Sequence, residues 1–133
     1  MDGKITLITP PDVFENSNKS ILFINLSDED QDVVSKWLST HDLKEDINLY
    51  VYNGETDIEW VFWAIGACQY KYIDLDGVNE IITALSGYIL GKSGFCYKTT
   101  NESLAAVYSH INSNRITNIT NFLERSLSEQ NNN

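Results

Sequence analysis

The residues of this chain best suited to chemistry are acids and amides that follow predicted strands. Asp74 and Asp76 close the apolar stretch at 70–75, and Asn25 and Asn53 follow two earlier stretches. In an open parallel sheet, ligands bind beyond the carboxyl ends of the strands. Carboxylates and amides at this edge can exchange hydrogen bonds with sugar hydroxyls, whereas the acids would repel phosphate groups. The set therefore favours an uncharged sugar or a nucleoside over a nucleotide.

These residues also have ordinary structural explanations. Asp76 precedes a predicted helix, as Ser27 and Asn101 do, and such residues commonly cap a helix, contributing about 1 kcal/mol without any ligand. Glu80 falls in the first turn of the helix after Asp76, where the helix dipole favours an acid. The sequence alone leaves both interpretations open.

Motifs that bind nucleotide phosphates or metals are missing from the sequence. It contains neither GxGxxG nor GxxxxGK[ST], and Cys68 and Cys96 lack the spacing of a metal-binding pair. His41 and His110 fall near predicted helix ends, where we expect them at the surface. We therefore expect two reduced core cysteines, no metal and no cofactor.

Length and charge narrow the class of protein. The 133 residues fit one domain, which we place at 1–128 with a disordered tail at 129–133. Nine basic against nineteen acidic residues give a net charge of −10, which disfavours nucleic acid and anionic membranes as partners. No apolar run reaches the roughly 18 residues that a membrane helix needs, and no secretory signal is recognisable. A cytoplasmic location is expected.

Strand and helix patterns alternate along the chain. Strands are predicted at 4–8, 20–25, 47–52, 70–75 and 94–98, and helices at 27–40, 56–67, 78–90, 101–112 and 118–128. Such alternation with short connections predicts an α/β fold with a mostly parallel sheet. The expected architecture is a single-domain, doubly wound three-layer sandwich of about five strands, of the flavodoxin or Rossmann type.

Several segments, taken in order, resemble the nucleoside 2-deoxyribosyltransferase-like family. They are Pro10-Pro11, LFINLS at 22–27, Trp37, IEWVFWAIGACQYKYIDLD at 58–76 and GYILGK at 87–92. The resemblance extends from about Ile8 to Leu127. It implies a doubly wound α/β fold, oligomers in which neighbours complete the pocket, and exchange of a base on deoxyribose through a covalent intermediate on a glutamate.

The position of that glutamate is occupied by a neutral residue in this chain. In the family the glutamate lies eight residues before the glycine of a Gly-Lys pair, and counting back from Gly91 gives Thr83. A threonine hydroxyl is a poor substitute for an ionised nucleophile. Glu80 is the nearest acid and could act only from a displaced position. The family resemblance thus implies a relative that lacks the reactive carboxylate.

Three functions are compatible with the sequence. The favoured one is a non-catalytic protein-interaction, assembly or accessory module, and the small size, acidic balance and Asn-rich tail suit a viral accessory protein. The alternatives are a protein that binds a nucleoside or ribose compound, and an active transferase or N-glycosidase that uses Glu80. We expect a protein partner or self-association. The resemblance implies ligand-binding roles for Asn25, Asn53, Asp74, Asp76 and Thr83.

Overall fold

One parallel sheet forms the centre of the protein. The computed structural model describes residues 3–13, 18–53 and 57–127. The sheet has the order β1-β3-β2-β4-β5, and every neighbouring pair of strands is parallel. The predicted α/β fold is thus confirmed, with a sheet that is wholly parallel. Its strands are β1 (Ile5–Ile8), β2 (Lys19–Ile24), β3 (Ile47–Tyr52), β4 (Tyr70–Asp74) and β5 (Phe95–Lys98).

Helices cover both faces of this sheet. One face packs against α1 and α5 and the other against α2 and α3, which gives three layers. No helix in the described ranges is long and apolar enough to span a membrane. The helices are α1 (Asp28–Thr40), α2 (Ile58–Ala67), α3 (Glu80–Leu90), α4 (Glu102–Tyr108) and α5 (Ile119–Leu127).

Strand β2 is buried on both sides, as its apolar sequence predicts. Leu22 and Ile24 contribute to the core under α2 and α3, whereas Ile21 and Phe23 contribute to the core under α1 and α5. The alternation follows from the two-residue period of a strand. Because β2 is the middle strand, its carboxyl end lies at the centre of the sheet edge.

The predicted reduced cysteines are confirmed as core residues. Cys68 and Cys96 are free and buried, one in each core. Burial raises the pKa of the Cys68 thiol to about 12. Burial likewise raises the pKa of Cys96. Both thiols are therefore protonated at neutral pH.

Two of the three predicted helix caps are confirmed. The hydroxyl of Ser27 accepts a hydrogen bond from the backbone N–H of Asp30 (3.1 Å), and Asn101 Oδ1 accepts one from Leu104 N–H (3.1 Å). The helix predicted at 101–112 is shorter than expected, because α4 ends at Tyr108. Asn112 lies beyond it and donates to the carbonyls of Leu90 and Phe95.

The order in which the chain adds strands changes side between β2 and β4, although the two strands are parallel. From β2 the chain runs through α1 to β3 on one side, and from β4 it runs through α3 to β5 on the other. Because α1 and α3 lie on opposite faces, a crevice opens between the carboxyl ends of β2 and β4. Ligands in doubly wound folds bind at this kind of switch point.

Candidate functional site

Asn25 ties the carboxyl ends of three strands together. It follows β2 in the left-handed conformation (φ 61°), which asparagine tolerates better than most residues. Its Nδ2 donates to the carbonyls of Asp74 (3.0 Å) and Asp76 (2.8 Å), and its backbone N–H donates to the carbonyl of Tyr52 (2.9 Å). Both hydrogens of the side-chain amide are therefore engaged within the protein.

Asn53 connects the loops after β3 and β2. Its Oδ1 accepts a hydrogen bond from the backbone N–H of Leu26 (2.8 Å), while the side chain stays exposed. The described residues offer no partner to its Nδ2, which leaves two donors available to a ligand.

A small cavity lies between these loops and the start of α3. Its volume is about 130 Å³. Pockets for drug-sized ligands usually measure about 300–1,000 Å³, so the cavity is too small for a whole nucleoside in this conformation. Its described polar side chains are the amides of Asn25, Asn53 and Asn79 and the phenol of Tyr52, and its apolar side chains are Ile24, Val78 and Ile82.

Asp76 holds two loops together and does not cap the helix that follows it. Its carboxylate accepts hydrogen bonds from the hydroxyl of Thr99 (2.8 Å) and the backbone N–H of Thr100 (2.8 Å). The predicted capping role is wrong, because Asn79 caps α3 by accepting from Ile82 N–H (2.9 Å). Partial burial alone would raise the pKa of Asp76, but the hydrogen bonds from Thr100 and Thr99 outweigh it and lower the pKa.

Asp74 is buried, with 8% of its surface exposed. Its Oδ1 accepts a hydrogen bond from the backbone N–H of Asp76 (2.9 Å). Burial raises the pKa of Asp74, and this effect exceeds the lowering effects of that hydrogen bond and of Lys98. The two predicted sugar-facing acids are thus adjacent, but their pKa values move in opposite directions.

A buried polar cluster beside Asp74 is the main feature that sequence reasoning missed. Asp30 Oδ2 accepts a hydrogen bond from the Tyr72 hydroxyl (3.2 Å) and forms an ion pair with Lys98 Nζ (3.3 Å). Burial, followed by the charges of Asp74 and Asp30, raises the pKa of Tyr72 well above its usual value. Tyr72 and Asp74 are two residues apart on β4, so they lie on the same face of the sheet. This spacing is the sequence feature from which their proximity could have been predicted.

Glu80 and Thr83 lie outside the lining of the cavity. Both are exposed on α3, and Glu80 is in the first turn, as its structural interpretation predicts. The Thr83 hydroxyl donates to the carbonyl of Asn79 (2.9 Å). The buried face of α3 carries Ile82 and other residues, so the helix directs position 83 away from the core.

Within the described ranges, no carboxylate side chain lines the cavity, and no group of three or more histidine, cysteine or acidic residues is arranged to hold a metal. Residues 54–56, including Glu55, and the predicted tail at 129–133 lie outside those ranges.

Comparison with known proteins gives no family assignment: no family model matches the chain, and no curated protein matches it. The resemblance to nucleoside deoxyribosyltransferases therefore stays a prediction from the sequence.

Proposed function

We propose that this chain is a non-catalytic α/β protein that acts by binding a protein partner or a second copy of itself. The observation that carries the proposal is the chemistry of the switch-point cavity. Its described side chains are neutral amides, the phenol of Tyr52 and apolar groups, with no carboxylate among them. Retaining glycosyl chemistry requires a carboxylate nucleophile together with an acid, and neither Glu80 nor Thr83 faces this space.

The two edges of the sheet differ in a way that favours a partner at β1. At β5, the backbone of Tyr97 accepts a hydrogen bond from Ile116 N–H (2.8 Å) and donates to the carbonyl of Asn114 (3.2 Å), so another segment covers that edge. No described segment pairs with the outer side of β1. An open strand edge can accept an additional strand through main-chain hydrogen bonds.

Apolar side chains accompany this open edge. Ile5 is 40% exposed and Leu7 is 66% exposed. Leu7 also borders a groove of about 350 Å³ that includes Leu38 and Val51. A strand added at β1 could place one apolar side chain in this groove. Main-chain hydrogen bonds would then supply affinity, and the groove would supply specificity.

A cross-linking experiment tests the proposal. A photoreactive residue at position 7 should capture a partner in native extract, or a second copy in purified protein, whereas the same residue at position 107 on α4 should not. Val107 is a matched control because it is 59% exposed and lies on a helix. Leu7→Lys should abolish the complex with a stability change within about 0.5 kcal/mol. A monomer that gives no position-7 cross-link would contradict the proposal.

A second candidate function is binding of a nucleoside or ribose compound with only its sugar at the cavity, where Asn53 Nδ2 is available to donate to a hydroxyl. Calorimetry with nucleosides tests it. Binding that weakens in Asp76→Ala, where the loop beside the cavity loses its ties, would support it, and absence of heat at millimolar nucleoside would remove it.

A further inference from the structure

A second pocket lies at the opposite, amino-terminal end of the strands. It measures about 440 Å³ and opens between the ends of α2 and α3. It contains Lys71 of β4 and Lys92, which follows α3 in the segment GYILGK at 87–92. Two cations in one pocket are unusual in a chain of net charge −10.

Lys71 is a buried cation. Only 6% of its surface is exposed, and its Nζ donates to the carbonyl of Ser93 (2.6 Å). An ammonium has three hydrogens to donate, and besides this bond Lys71 Nζ lies 6.0 Å from the centroid of the Phe95 ring, which offers no lone pair to accept them. Burial, together with the nearby charge of Lys92, lowers the pKa of Lys71.

The described residues provide Lys71 with no anionic partner. The ion pairs among them are Lys98 with Asp30 and Arg115 with Glu102. The acidic group that influences the pKa of Lys71 is the Cys68 thiol, whose own pKa burial raises to about 12, so the thiol is neutral at physiological pH. A buried charge without a counterion is costly, which points to a group supplied from outside.

Helix dipoles compensate only part of this charge. The carboxyl ends of α2 and α3, at Ala67 and Leu90, lie beside the pocket. Each helix end contributes roughly half a negative charge. Against two lysines, about one positive charge remains.

The loop from α3 to β5 is shaped around the ammonium. Gly94 has φ +80°, and a Cβ there would lie 2.5 Å from the carbonyl oxygen of Gln69 and 3.4 Å from Lys71 Nζ. A glycine is therefore required at this position, directly after Ser93, whose carbonyl accepts the hydrogen bond from Lys71 Nζ.

We propose that this pocket binds a small oxyanion, a phosphate or carboxylate group of a ligand, between Lys71 and Lys92. Lysine binds such groups as a compact positive charge. The ring of Tyr88 lies 4.4 Å from Lys92 Nζ and in contact with Phe62, whose ring lines the remainder of the pocket.

Thermal unfolding with inorganic phosphate, acetate and chloride at equal ionic strength tests the proposal. A specific oxyanion should multiply the folding equilibrium constant by about tenfold at a concentration ten times its Kd, whereas chloride should act only as a general salt. The shift should be lost in Lys71→Met and reduced in Lys92→Met. The control is Lys36→Met, which replaces an exposed lysine of α1 far from the pocket lining and should keep the shift.

Amide NMR of the unaltered protein provides a test that does not depend on the folding of any variant. Phosphate or acetate should move resonances in residues 66–71 and 88–94, with little change at Asn25 or Asp76 at the other end of the sheet. Resonance shifts with phosphate but not with acetate would identify a phosphate site, and shifts with acetate but not with phosphate would identify a carboxylate site. If neither anion has an effect beyond that of chloride, or if Lys71→Met responds as the unaltered protein does, the proposal is wrong.

Discussion

Asp76 shows how a residue type that suggests ligand binding can serve the fold instead. Its carboxylate joins the end of β4 to the loop before α4 through Thr99 and Thr100. The sequence predicted that Asp76 would lie at the carboxyl edge of the sheet, because it directly follows an apolar strand. Its partners come from 23 and 24 residues further along the chain, and no local pattern encodes such contacts.

Replacing Asp76 with alanine should destabilise the protein by about 2 kcal/mol, because hydrogen bonds to charged groups contribute about 1.5–3 kcal/mol each and this site is partly exposed. Urea unfolding at neutral pH measures the change. Asp32→Asn, an exposed acid on α1, is the control and should change stability by less than about 0.5 kcal/mol. The difference between the two variants should shrink below pH 4, since the pKa of Asp76 is lowered on folding and protonation removes its stabilising effect.

Asp74 should have the opposite pH dependence. Folding raises its pKa above the ordinary 3.8, so the folded state retains the proton more tightly than the unfolded chain. The contribution of Asp74 to the free energy of unfolding therefore falls as the pH rises from 3.8 through the pKa that Asp74 has in the folded protein. Asp74→Asn keeps an oxygen that can accept from Asp76 N–H and removes the charge. Relative to the unaltered protein, the variant should gain stability between pH 4 and pH 7, and a relative loss would contradict this explanation.

At the scale of elements, the start of α3 was predicted within two residues but with the wrong cap. Asp76 and Asn79 are both good capping residues, and the sequence offered no reason to prefer one. Gly77, with φ +83°, turns the chain after Asp76 and delays the helix until Asn79. Ser27 and Asn101 also have possible capping residues beside them, Asp28 and Thr100, but the hydrogen bonds that they accept from Asp30 N–H and Leu104 N–H identify them as the caps.

Removing the Asn79 cap should weaken α3 and change the cavity together. Asn79→Ala should cost about 1 kcal/mol in urea unfolding, because Ile82 N–H loses its acceptor. Asn79→Ser restores an acceptor and should recover most of the loss. Equal stability of the alanine variant and the unaltered protein would show that Asn79 contributes no capping energy.

At the scale of the whole molecule, alternation of strand and helix predicted the fold class but not the order of strands. The position of β1 beside β3 depends on a pairing of Ile5 with Ile47, which are 42 residues apart. The open edge and the switch point both follow from that order. The sequence could therefore predict which residues lie at the carboxyl edge, but not that their hydrogen bonds would be directed at one another.

An assay for base release from deoxynucleosides tests the central claim most directly, namely that the protein acts by binding and that its carboxyl-edge cavity does not catalyse glycosyl transfer. Purified protein incubated with a panel of deoxynucleosides, with and without an acceptor base, should leave every substrate unchanged by chromatography, and Glu80→Gln and Glu55→Gln should be indistinguishable from the unaltered protein. Release of base that disappears in either glutamine variant would contradict the account.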